Sequence, residues 1–106
     1  MMRRRRRGRQ GRHPMPVYIG QPAATREFNP EPGSRKPPVM LEPAELEAMR
    51  LVDLEGLSQE EAGERMGVSR GTVWRLLQSA RQKVTTALVE GRPLTIDDQV
   101  NTTDRT

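Results

Sequence analysis

The chain is 106 residues long, with 33% hydrophobic, 30% charged and only 3% aromatic residues, which leaves room for one small aliphatic core. It has no cysteine, which excludes disulfides and thiolate-bound metals, and its single His13 stands without a neighbour at ligand spacing, so no metal or other cofactor is expected. The net charge of +4 is uneven: Arg3, Arg4, Arg5, Arg6, Arg7, Arg9 and Arg12 fall in the first twelve residues without an acid, while the rest of the chain carries 11 bases against 14 acids.

A basic arm of this kind is suited to polyanions. No apolar run approaches the ~18–20 residues that span a bilayer. Val17-Tyr18-Ile19 is too short to serve as the apolar region of an export signal. The chain is therefore expected to be soluble and cytoplasmic, associated with the nucleoid, with no membrane partner.

Residues 1–38 read as an Arg/Pro-rich, largely irregular and disordered arm. Prolines recur at 14, 16, 22, 30, 32, 37 and 38, and no apolar periodicity survives between them. Val17-Tyr18-Ile19 and Phe28 either dock on the rest of the chain or stay free. From Leu41 the pattern changes, and residues 39–91 read as one domain. Pro43 suits a first helical position, and Leu41 with Leu46 forms a hydrophobic staple. A first helix over about 43–55, with Leu46, Met49, Val52 and Leu54 as its stripe, ends at Gly56. Glu42 is a poor N-cap for it.

A second helix, about 59–66, has a better start. Ser58 with Glu61 makes a capping box, Leu57 with Ala62 a staple, and Gly67 a stop. The third begins after Ser69, between the stapled Val68 and Val73. Val73, Leu76, Leu77, Ala80, Val84, Ala87 and Leu88 then recur at three and four as far as Gly91 and Pro93, which predicts one helix over about 70–90. Residues 92–106 form a polar tail, with Leu94-Thr95-Ile96 as a short extended segment.

The fold class expected is all-α: a three-helix helix-turn-helix domain with a disordered basic arm. Two helices joined by a tight Gly-containing turn, Met66-Gly67-Val68-Ser69, are the local signature of that motif. Gly63 provides the small residue needed where the second helix passes close to the third. Charge separates the helices: Glu42 to Glu64 holds eight acids and one base, whereas Arg70 to Val89 holds four bases and no acid. An acid-free helix can approach phosphates.

With the apolar stripe inward, Gly71, Arg75, Gln78 and Gln82 point outward, flanked by Trp74 and Ser79. Arg pairs with guanine and Gln with adenine in the major groove, and only the N-terminal part of a recognition helix reaches base edges. Arg75 and Gln78 are thus the expected base readers, with Gly71 and Thr72 on the same face. Ser69, Arg70, Arg81 and Lys83 are the expected backbone contacts, and the seven arm arginines add phosphate or minor-groove contacts. Trp74 either packs on the arm, as lone tryptophans usually bury most of their surface, or stands exposed to contact DNA sugar or a partner. Val84 and Leu88 extend past what two short helices cover, so they pack on the N-terminal segment or form a homodimer seam.

No catalytic set appears. The acids read as helix caps and solvent faces, no Ser-His-Asp arrangement is available, and no glycine loop is placed to hold a phosphate; an enzyme is not expected. Three functions remain. The first is a transcriptional regulator that reads duplex DNA with helix 70–90. The second is a sigma-like adaptor that binds RNA polymerase or a related factor, and the third is RNA binding led by the arm.

The run from Glu45 to Val73 resembles region four of bacterial sigma factors. Extended through Arg75 to Val84 and Ala87 to Gly91, it is similar to a small prokaryotic family of uncharacterised predicted DNA-binding proteins. The Arg/Pro-rich start and Phe28-Asn29-Pro30 are similar to that family too. The resemblance implies a sigma-region-four-like helix-turn-helix. Gly63 stands where that family usually has Ala, Gly71 where it tends to Gln, and Trp74 where it usually has Gly. The cysteines its members often carry near the N-terminus are absent.

Overall fold

Three helices start where local capping chemistry allows them. The computed structural model describes residues 16–97; the seven arm arginines, with the contacts expected of them, and His13 lie outside the described residues. Helix α1 (Pro43–Met49) begins with a reciprocal cap, in which the Glu42 N–H donates to Glu45 Oε1 at 2.9 Å, so Glu45 makes up for the weak N-cap. It runs on into a π-helical stretch, Arg50–Leu54, before Gly56 takes a left-handed φ of 79°. Helix α2 (Gln59–Met66) has its capping box: Ser58 Oγ accepts the Glu61 N–H at 3.0 Å, and Glu61 Oε1 accepts the Ser58 N–H at 2.9 Å. Helix α3 (Arg70–Glu90) is capped by Ser69, whose Oγ accepts the Thr72 N–H at 3.0 Å, and is closed by Gly91.

The main core lies between the three helices. Ala48 and Leu51 from α1 and its continuation, Ala62 and Met66 from α2, and Val73 and Leu77 from α3 are all buried there. The stripe predicted for the first helix is corrected at its end. Leu54 is 79% exposed and Leu51 is buried instead. The cause is the π-helical stretch: an i→i+5 turn holds one extra residue, which rotates the next side chains about the helix axis.

The all-α expectation is also corrected. Strands β1 (Glu27–Phe28), β2 (Val39–Leu41) and β3 (Leu94–Ile96) form a small sheet in the order β1-β3-β2. β3 pairs antiparallel with β1, Phe28 opposite Leu94, and parallel with β2, Val39 opposite Leu94 and Leu41 opposite Ile96. A parallel pair requires a crossover connection, and here the crossover is the entire three-helix unit. The sheet packs on that unit through a second cluster of Leu41, Ile96 and Ala80, with Leu46 and Leu94 beside it; Met49 touches both clusters.

The stretch before the helices, expected as an irregular arm, docks on them over part of its length. Val17 packs against the main core, and the Tyr18 N–H donates to the Met66 carbonyl at 3.0 Å. The Gly20 N–H donates to Glu47 Oε2 at 2.8 Å. Among the described residues, no helix is long and apolar enough to cross a membrane.

Candidate functional site

The turn between α2 and α3 sets how α3 is presented. Its backbone passes so close to α2 that a Cβ placed on Gly63 would stand 2.6 Å from the Val68 carbonyl oxygen, nearer than such atoms normally approach. The Val68 N–H donates to the Gly63 carbonyl at 2.9 Å, which locks that approach. Gly67 takes a φ of +74° beneath the Tyr18 ring, whose edge would be 3.1 Å from an added Cβ. The N-terminal segment therefore braces the turn from outside.

Beyond the turn, the first half of α3 carries an exposed polar row. Ser69, Arg70, Gly71, Arg75 and Gln78 are exposed, with Thr72 half-buried among them. Ser69 Oγ lies 2.9 Å from Thr72 Oγ1, which accepts from Arg75 Nη2 at 3.4 Å, so three of the predicted contact residues form one chain of side chains. An added Cβ on Gly71 would find only Ser69 Oγ within reach, at 3.9 Å. Trp74 is 52% exposed, so it is not packed away as lone tryptophans usually are. Glu60 and Glu64 border Arg70 on the α2 side, lining one shallow depression with it, so the basic surface stops there.

The second half of α3 is different in kind. Arg81 makes a bidentate pair with Asp53, its Nε 3.1 Å from Oδ2 and its Nη2 2.6 Å from Oδ1. Lys83 Nζ donates to Glu45 Oε1 at 2.9 Å, and Ser79 Oγ donates to Glu45 Oε2. Two of the four α3 bases are thus matched with acids of the first helix. Arg70 and Arg75 have no ion pair among the described residues. Sequence reasoning separates the charges by helix but misses this pairing, which spans 28 and 38 residues and has no local signature.

The reading of the acids as helix caps and solvent faces is corrected at Glu47, which is neither: Glu45 caps α1 but is buried at 4% exposure, and Glu47 is 2% exposed. Burial raises the pKa of each carboxyl, but hydrogen bonds outweigh it and hold both below the ordinary carboxylate value: Lys83, Ser79 and the Glu42 N–H for Glu45, Arg50 and the Gly20 N–H for Glu47. Arg50 is the hub of the second site. Its Nε and Nη2 meet the two Glu47 oxygens at 2.9 and 2.8 Å, and Nη1 reaches Glu55. The Glu47 hydrogen bond raises the guanidinium pKa further, so the pair is fully ionised. Asp53 is likewise held low by its hydrogen bond from Arg81.

Toward the end of α3, Val84 and Ala87 line a groove of about 240 Å³ with Phe28, Pro30 and Leu94, so Val84 faces the N-terminal segment. Leu88, on the same groove's rim, remains 79% exposed.

Known proteins resemble this chain closely. UPF0251 proteins of Pyrococcus horikoshii and Pyrococcus furiosus are each 62% identical over 72 residues, 68% of this chain and 66% and 67% of theirs. The chain thus spans about two thirds of the length of these relatives. A UPF0251 protein of Archaeoglobus fulgidus is 48% identical over 86 residues, 81% of this chain and 82% of its own. No solved structure matches the chain significantly. The family described as "Protein of unknown function DUF134" matches residues 1–102, and the chain belongs to that family.

Proposed function

We propose that this protein binds duplex DNA by laying the first half of α3 in the major groove, as the second helix of a helix-turn-helix, and that it acts as a transcriptional regulator. The observation that carries this reading is the exposed row Ser69, Arg70, Arg75 and Gln78, with half-buried Thr72 among them, held behind a turn that a single methyl group would disturb. From Arg70 to Gln78 the helix rises about 12 Å, a length that suits the ~12 Å width of the major groove. Arg75 and Gln78 carry the fork and amide geometries that pair with guanine and adenine edges. Arg70, next to the N-cap, suits a phosphate. Gly71 leaves a gap at which a backbone or base approaches α3 without meeting a side chain. The Arg-rich arm adds sequence-independent attraction to the polyanion.

Selection from a pool of random duplexes tests this directly. One family of sequences becomes enriched, and Arg75→Ala and Gln78→Ala each lower affinity for it by about 5- to 150-fold, the range of one lost base contact, while relaxing preference at one position. If nothing is enriched and both variants bind like the wild type, direct readout is wrong. Preference for single-stranded RNA over duplex at equal salt would place the activity in the arm instead. Leu88 is the residue through which two copies would meet in a dimeric regulator. An unchanged mass by light scattering on Leu88→Asp would remove the dimer from this reading.

A further inference from the structure

The four bases of α3 divide at its midpoint, and the division is made by the first helix. Arg70 and Arg75 lie on the exposed row, whereas Arg81 and Lys83 face Asp53 and Glu45. We infer that Asp53 withholds Arg81 from nucleic acid, so that the first helix limits how far along α3 a duplex can be gripped. The inference rests on the duplex-binding reading and adds to it a residue that limits affinity without touching the ligand.

The geometry supports this in three steps. Asp53 takes both of its oxygens to one guanidinium, at 2.6 and 3.1 Å, which is the fork arrangement a phosphate would otherwise occupy. Asp53 reaches Arg81 from the π-helical stretch Arg50–Leu54. The two pairs also differ in how easily they can be exchanged. Glu45 is buried, with Ser79 and the Glu42 N–H also on it, so Lys83 is bound into the structure. Arg81 and Asp53 are 45% and 42% exposed, so that pair is open to solvent and to competing anions. A phosphate must therefore displace Asp53 to gain Arg81. The cost falls equally on every sequence, so it lowers affinity for all duplexes by the same factor.

A double-mutant cycle on the full chain reads this out, with a 20-base-pair duplex of mixed sequence as probe and salt as the variable. Asp53→Asn is expected to bind that duplex about three- to tenfold more tightly and to steepen its salt slope by about one. Arg81→Ala is expected to weaken binding at least threefold more in the Asp53→Asn background than in the wild type. Unfolding curves confirm that each variant is folded. Equal effects of Arg81→Ala in the two backgrounds would overturn the inference, since the gain would then come from lost negative charge acting at a distance. So would an unaltered slope in Asp53→Asn. If the wild type binds duplex and only the cycle fails, the major-groove reading survives; if neither wild type nor Asp53→Asn binds duplex at any salt, both readings fall.

Discussion

The two seams that join α3 to the rest of the molecule are built on opposite principles. Its start meets α2 by shape alone: Gly63 lets the Val68 carbonyl come where no Cβ fits, and small aliphatic side chains close behind it. Its middle meets the first helix through charge: buried Glu45 receives Ser79 and Lys83, and exposed Asp53 receives Arg81. The first seam is intolerant of volume and indifferent to pH, and the second is the reverse. A helix held this way can keep its leading end rigid for contact while its trailing end answers to ionic conditions.

The largest single effect lies beside the charge seam, at the ion pair within the first helix. Arg50→Ala strands the Glu47 carboxylate in the interior, and loss of one partner from a buried pair costs about 3–5 kcal/mol. Chemical denaturation of this variant would show it; a loss below about 1 kcal/mol would mean that water reaches Glu47. Acid should act on the buried carboxylates Glu45 and Glu47 less severely, because protonation leaves no buried carboxylate charge behind. Glu45 and Glu47 have lowered pKa values in the folded state, so their contribution is complete above the ordinary carboxylate value near 4.5 and is lost as pH falls through the lower folded values. Urea midpoints should hold between pH 7 and 5 and drop below pH 4, and the drop should shrink in Glu45→Gln.

The shape seam is broken by adding one carbon. Gly63→Ala gains helix propensity of about 1 kcal/mol, yet its Cβ would stand 2.6 Å from the Val68 carbonyl oxygen. Overpacking of this kind costs about 1–3 kcal/mol, so the thermal midpoint should fall. Gly71→Ala sharpens the contrast as the smallest effect, with the opposite sign. Its Cβ meets nothing closer than 3.9 Å, so the variant should gain up to about 1 kcal/mol in stability. If it raises stability while lowering duplex affinity, the gap at Gly71 serves the ligand rather than the fold.

The two seams are not equally legible in the sequence. Ser58 with Glu61, Ser69 before an apolar period, and Gly67 between them are short-range signals, and they announce α2, the turn and α3 from residue types alone. Gly63 can be read as a required small residue because its role depends on Gly67 four places away. The charge seam escapes because Glu45 and Lys83 are 38 residues apart, and a glutamate beside a first helical turn looks the same whether it ends in water or under another helix. Of the sheet, Leu94-Thr95-Ile96 is legible as an extended segment and is β3, but its two partner strands and the pairing escape for a similar reason. Strands of two and three residues carry too little alternation to register, and their pairing joins positions as distant as Val39 and Leu94. The π-helical stretch leaves no mark in residue type, so the apolar spacing points Leu54 inward in place of Leu51.

The parallel pairing of β2 with β3 has a consequence for the order in which the protein assembles. The two strands bracket the helices, and a clasp across some fifty residues cannot close until its ends have been brought together, so its entropic cost is met only after the helical contacts form. Once those contacts exist, few hydrogen bonds are needed to hold the clasp: Val39 to Pro93 and Asp97 to Leu41 stand at its two ends, each at 2.8 Å. A clasp of that kind opens without unfolding the helices it encloses. Amide hydrogens of Val39 to Leu41 and Leu94 to Ile96 should therefore exchange well ahead of those of Leu51 and Leu77, as a separate unit of opening. The strands would then act as a latch that releases the β1 stretch and the trailing end of α3 together, leaving Val17 and Tyr18 docked beside the turn before α3.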